Sequence, residues 1–137
     1  MSQHAAGPFD VKLAPHPLAL EDKVEGASLA RMSLDKQYHG DLDASSKGEM
    51  LSAVSSVNGS AGYVAIEKVD GTLGGRKGTF VLQHNATMTR GAPYLNIIVV
   101  PDTGTGELEG LTGTMKIIIA PGGKHSYEFD YALGATS

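Results

Sequence analysis

No cysteine occurs among the 137 residues, which removes disulfides, thiolate metal sites and thiol nucleophiles together. A basic excess is missing too. The formal charge is −4, and neither end carries the cationic patch that phosphate contacts need, so nucleic acid is not an expected partner. No apolar run approaches the ~20 residues of a membrane helix, since the two greasiest stretches, 95–100 and 115–120, are far shorter. The first 20 residues lack the basic start and apolar middle of a signal peptide, so the expected location is cytoplasmic. There is no internal repeat and no linker. The chain reads as one domain over 1–137, of a length typical for one core, with residues 1–8 expected as a loose N-terminal segment.

Catalytic and cofactor signatures are missing as well. Gly104-Thr105-Gly106 has Glu109 where a dinucleotide fingerprint needs a third glycine. The stretch 71–79 carries Lys77-Gly78 rather than the Gly-Lys-Ser/Thr of a P-loop. No Gly-x-Ser-x-Gly elbow and no His-Glu-x-x-His is present. Histidine is the commonest transition-metal ligand, and His39, His84 and His125 fall on three separate strands. No His-x-His pair accompanies them, and the expectation is no metal and no cofactor.

Glycine is abundant, with 18 residues, and the rest of the pattern is that of strands and tight turns. Ala30, Met32, Leu34, Tyr38 and Leu42 alternate with polar neighbours, a period of two. A shorter run covers 50–57, then Asn58-Gly59-Ser60 supplies a hairpin turn. Residues 63–69 and 76–88 flank a glycine-rich turn, 94–100 is β-branched, and 114–120 and 125–133 follow. Residues 21–29 are the one place where a helical turn is expected. Seven or eight short strands with hairpin turns predict an all-β sandwich or barrel. The long, glycine-kinked runs 27–42 and 76–88 favour a small, lipocalin-like antiparallel β-barrel, which leaves no open edges.

The segment Gly59-Ser60-Ala61-Gly62-Tyr63-Val64-Ala65-Ile66-Glu67, with Gly71-Thr72-Leu73, Gly75-Arg76 and Gly78-Thr79-Phe80-Val81-Leu82-Gln83-His84, resembles the bacterial domain-of-unknown-function family numbered 3224. So do Val100-Pro101-Asp102-Thr103-Gly104-Thr105-Gly106-Glu107-Leu108, Gly110-Leu111, Gly113 and the closing His125-Ser126-Tyr127-Glu128-Phe129. The likeness runs from about Ala27 onward. It implies a barrel similar to that of the allene oxide cyclases. It implies no activity, and no motif of the cyclases themselves is present to carry over.

One constellation has chemical content. A two-residue hairpin loop between 63–69 and 76–88 puts Tyr63, Ala65, Glu67 and Val69 on one face with Arg76, Phe80, Leu82, His84 and Met88. A turn on Gly74-Gly75 sets Glu67 opposite Leu82 and diagonal to His84; a turn on Gly75-Arg76 sets it opposite His84. The face is otherwise apolar, so Glu67 needs a partner there, His84 or Arg76, because an unpaired buried charge costs several kcal/mol or more. The last strand adds His125, Tyr127, Phe129 and Tyr131 on one face.

The functional expectation is a barrel that holds a small apolar or amphipathic molecule in its lumen, with Glu67, His84, Tyr63, Tyr127 and Arg76 as candidate contacts. The alternatives are an isomerase or cyclase working through a buried carboxylate, and an oligomeric structural barrel with no ligand. Val64, Ile66 and Val81 fall on the opposite face of the hairpin, where exposed apolar side chains predict a homo-oligomer.

Overall fold

The computed structural model describes residues 2–134. Nine strands make one antiparallel sheet: β1 (Gln3–His16), β2 (Lys23–Val24), β3 (Ala27–Tyr38), β4 (Leu42–Ser55), β5 (Ala61–Leu73), β6 (Arg76–Thr89), β7 (Ala92–Val99), β8 (Thr112–Ile119) and β9 (His125–Ala132). From β3 to β9 each strand pairs with its sequence neighbour, and β1 pairs with both β9 and β3, so eight strands close into a barrel. The two-residue β2 is an appendage on β3.

Closure by β1 corrects the expectation of a loose segment at 1–8; residue 1 lies outside the described residues. Gln3–Phe9 pairs with Tyr131–His125, and Phe9–His16 pairs with Tyr38–Arg31. The strand is held because it satisfies two edges that would otherwise be unpaired, and because Ala5 and Phe9 are buried. Two prolines, Pro8 and Pro15, mask an alternation of Phe9, Val11 and Leu13 with Asp10 and Lys12. The run 27–42 is likewise split, with a turn at 39–41 separating β3 from β4. No helical turn forms at 21–29. Among the described residues the single helical element is a 3₁₀ turn at Gly106–Leu108, and no helix is long and apolar enough to cross a membrane.

The hairpin between β5 and β6 turns on Gly74 and Gly75, with φ of +56° and +84°. Two consecutive positive φ values are the geometry of a two-residue hairpin loop, which glycine adopts without steric cost. This turn sets Glu67 opposite Leu82 and His84 opposite Ala65.

The two ends of the barrel differ. At one end Leu42, Val69, Leu73, Phe80, Phe129 and Tyr127 are fully buried. Leu108 and Leu111, from the segment between β7 and β8, plug that end. There the Tyr127 hydroxyl accepts from the Leu42 N–H at 2.8 Å and donates to the His39 carbonyl at 2.7 Å. Toward the other end the inward-facing residues emerge into solvent on strand after strand: Leu13 (52% exposed), Met88 (44%), Leu95 (40%) and Ile119 (64%). Pairing between β7 and β8 covers only Ile97–Met115 and Ile98–Thr114, so the wall is incomplete at this mouth. A narrow eight-stranded barrel is just wide enough to be filled by its own side chains. This one is filled at one end and leaves inward-facing apolar side chains exposed around the mouth at the other.

Candidate functional site

Between the packed end and the mouth lies a buried polar cluster centred on Glu67, which is 0% exposed. Oε2 accepts from Lys36 Nζ at 2.8 Å and from His84 Nε2 at 2.6 Å. Oε1 accepts from the Tyr38 hydroxyl at 2.5 Å and from Ser46 Oγ at 2.8 Å. Every partner is inward-facing and buried: Lys36 and Tyr38 from β3, Ser46 from β4, His84 from β6. Four donors on two oxygens saturate the carboxylate, and among the described residues no buried side-chain nitrogen or oxygen lacks a partner.

Burial alone would raise the Glu67 carboxyl. The His84 hydrogen bond, the Lys36 and His84 charges and the Lys36 hydrogen bond outweigh it and hold the pKa at about 2, as expected for an anion given direct cationic and hydrogen-bonding partners. Lys36 is further accommodated by the faces of Phe9 and Tyr38, with Nζ 5.2 Å and 5.7 Å from the ring centroids. Burial and then the Glu67 charge push the Tyr38 phenol well above its ordinary value. The same two causes raise Tyr63. Both phenols therefore stay protonated.

The cluster extends toward the mouth through one contact. The Tyr63 hydroxyl lies 3.4 Å from His84 Nδ1, and Tyr63 is half-buried on the inner wall of the mouth. Around it, cross-strand pairing aligns Met32, Met50, Ala65, His84, Ile97 and Met115 in one inward-facing row.

Of the residues singled out from the sequence, Glu67, His84 and Tyr63 come together. Tyr127 faces inward but in the packed end, its hydroxyl occupied by backbone groups. Arg76 is exposed beside the Gly74-Gly75 turn, which corrects its candidacy. It stands six residues along β6 from Leu82, the residue opposite Glu67, or ~20 Å at ~3.4 Å per residue. Lys36, Tyr38 and Ser46 were not anticipated. A signal for Lys36 was present, since it is the one charged residue in the apolar phase of residues 30–38. His39 faces outward and contacts Asp10, while His125 packs on the Phe9 ring. Among the described residues no three His, Cys, Asp or Glu side chains form a metal-ligand cluster.

The outer wall has its own concavity. A groove of about 820 Å³ runs between residues 17–20 and the outward faces of β4, β5 and β6, where Leu51, Val64 and Ile66 are exposed.

The family model described as a protein of unknown function, DUF3224, matches residues 5–131. The chain belongs to the DUF3224 family. A protein of unknown function from the DUF3224 family of Shewanella oneidensis MR-1, with a crystal structure at 1.84 Å resolution, is 50% identical with a TM-score of 0.94, over 99% of this chain and 100% of that one. No curated protein matches. DUF3224 membership and the barrel are thus established, whereas the implied likeness to allene oxide cyclases is not shown by these comparisons.

Proposed function

We propose that the barrel is a binding module for a small apolar or amphipathic molecule, taken up at the open mouth. One observation carries the reading: the inward-facing side chains of β1, β6, β7 and β8 go from buried to exposed toward the same end, leaving Leu13, Met88, Leu95 and Ile119 without apolar cover. Covering such surface is favourable at ~25 cal/mol per Å², and unbranched methionines such as Met32, Met50 and Met88 adapt to irregular ligands. An isomerase or cyclase working through Glu67 is disfavoured, because both carboxylate oxygens are occupied and the group is a weak base with a pKa of about 2.

Titration with N-phenyl-1-naphthylamine, whose fluorescence rises in apolar surroundings, tests the reading. Saturable binding is expected, weakened at least about tenfold by Ala86→Trp, which adds bulk at the inward-facing position of β6 opposite Tyr63, and unchanged by Val64→Lys on the outer wall. Failure to bind, or equal binding by the Ala86→Trp protein, rejects it.

A second reading concerns the outer wall. Leu51 and Val64 are cross-strand neighbours, and Ile66 lies beside them on β5, each about half exposed. A solvent-facing sheet surface is ordinarily polar, so we infer that a second copy of the chain covers this patch. Sedimentation at micromolar concentration should report a dimer or trimer, dissociated by Val64→Lys/Ile66→Lys; a monomeric wild type rules it out.

A further inference from the structure

We infer that the turn at Asn58-Gly59 is a site of self-modification, where Asn58 is hydrolysed through a cyclic imide to aspartate and isoaspartate. The reaction needs an unhindered main-chain nitrogen after the asparagine, an N–H that no acceptor holds, and a side-chain amide free to swing onto it. Of the asparagines at 58, 85 and 96, Asn58 alone precedes a glycine, and Gly59 has no Cβ to crowd its nitrogen. The Ser60 N–H donates to the Val57 carbonyl at 3.1 Å, which makes Asn58 and Gly59 the central residues of a tight turn. Gly59 has a φ of +82° there, as the third position of such a turn requires. Among the described residues the Gly59 N–H meets no acceptor, and the exposed Asn58 side chain makes no hydrogen bond.

The other two asparagines lack these conditions. Asn85 and Asn96 are cross-strand partners on β6 and β7. Ala86 and Ile97, which follow them, carry side chains and lie in strand ladders.

Water is the only co-reactant. The Gly59 nitrogen attacks Asn58 Cγ, a C–N bond closes the ring, and the side-chain nitrogen leaves as ammonia with the proton that Gly59 gives up. Water then adds to one of the two imide carbonyls and breaks its bond to nitrogen. One opening restores the ordinary chain with aspartate at 58. The other routes the main chain through the former side-chain carbons and lengthens it by a methylene. Nucleophile and carbonyl sit on adjacent residues, so proximity favours the step, and a loop tip leaves them the freedom to meet.

Gly59 also ties two turns of the mouth together. Its carbonyl accepts from the Gly91 N–H at 3.0 Å, and Ser60 Oγ accepts from the Arg90 N–H at 3.0 Å. A Cβ on Gly59 would already stand 2.9 Å from the Gly91 nitrogen. The lengthened isoaspartyl chain therefore has no slack at this contact and shifts both bonds. Either product also adds one negative charge to the formal −4.

Ageing the folded protein at mildly alkaline pH, with peptide mapping by mass spectrometry and isoaspartate-specific methylation, tests the site. Asn58 should convert at least about tenfold faster than Asn85 or Asn96, and within about tenfold of a free peptide of residues 55–62. In the isoaspartyl fraction the Arg90 and Gly91 amides should exchange faster with solvent. The Asn58→Asp protein, with the charge but an ordinary chain, should keep their protection. Conversion of Asn58 no faster than at the other two asparagines, or a free peptide that outpaces the folded protein by much more than tenfold, overturns the inference. Unchanged Arg90 and Gly91 exchange in the isoaspartyl fraction overturns the coupling between the two turns.

Discussion

Replacing Glu67 by glutamine is expected to lower the unfolding free energy by about 3–5 kcal/mol, the usual cost of removing one partner from a buried ion pair. The amide matches the carboxylate in shape, so no cavity contributes. What changes is that Lys36, 5% exposed, is left as a buried cation with no anion. In a domain of this size the melting temperature should fall by roughly 10–15 °C. Lys36→Met leaves the converse problem, an anion without its cation, and should cost a similar amount. The double variant Lys36→Met/Glu67→Gln removes both charges and should be more stable than the Glu67→Gln single, with a coupling energy of at least ~1.5 kcal/mol. The same pair dictates a pH dependence. Glu67 titrates at about 2 in the folded protein against an ordinary value of 4.5, a depressed folded pKa. Its contribution is therefore complete above the unfolded value and is lost as pH falls from 4.5 to about 2. Wild type should lose on the order of 3 kcal/mol from this group across that window, and Glu67→Gln should lack that component. A penalty below ~1 kcal/mol for Glu67→Gln, or strict additivity in the cycle, contradicts a structural ion pair at the centre of the barrel.

Gly48→Ala is the second substitution expected to be severe. Gly48 is the cross-strand partner of Glu67, on the inner wall of β4. A Cβ there would stand 2.1 Å from the Ile66 carbonyl oxygen and 2.7 Å from Glu67 Cα. Both neighbours are backbone, so no side-chain rotation relieves the contact and β4 must move away from β5. Ser46, two residues along, would be drawn from Glu67 Oε1, which it now meets at 2.8 Å. A destabilisation of about 3 kcal/mol is expected, at the upper end of ordinary overpacking. Lys47→Ala, on the exposed face next door, should stay within ~0.5 kcal/mol of wild type. Chemical denaturation of the three proteins measures the difference, and a Gly48→Ala protein as stable as Lys47→Ala rules out a steric role for the glycine.

Much of this site was legible one hairpin at a time. Glu67 and His84 share an apolar phase on two strands joined by a glycine pair, and a two-residue loop leaves little choice of register. Lys36 was equally visible as a charge in the wrong phase between Leu34 and Tyr38, but nothing local connects it to Glu67, 31 residues away. Tyr38 and Ser46 gave no signal at all. An inward tyrosine or serine reads as ordinary core until a carboxylate is known to lie across from it. Arg76 misled because it shares the phase of His84, yet phase says nothing of distance along the strand.

The sequence by itself determined that residues 63–69 and 76–88 form a hairpin and that Glu67 and His84 share its inner face, because both follow from period-two alternation and a short turn, which are local geometry. Only the tertiary structure decided how the sheet closes and where its interior is full. Closure joins Gln3 to Tyr131 and Phe9 to both His125 and Tyr38, contacts whose register no single turn dictates. Leu108 and Leu111 reach back to fill one end, and the brief β7–β8 pairing leaves the other open. Whether Tyr63 stands near an open mouth or in a packed core depends on that asymmetry, and it arises from the summed packing of all eight strands rather than from any one of them.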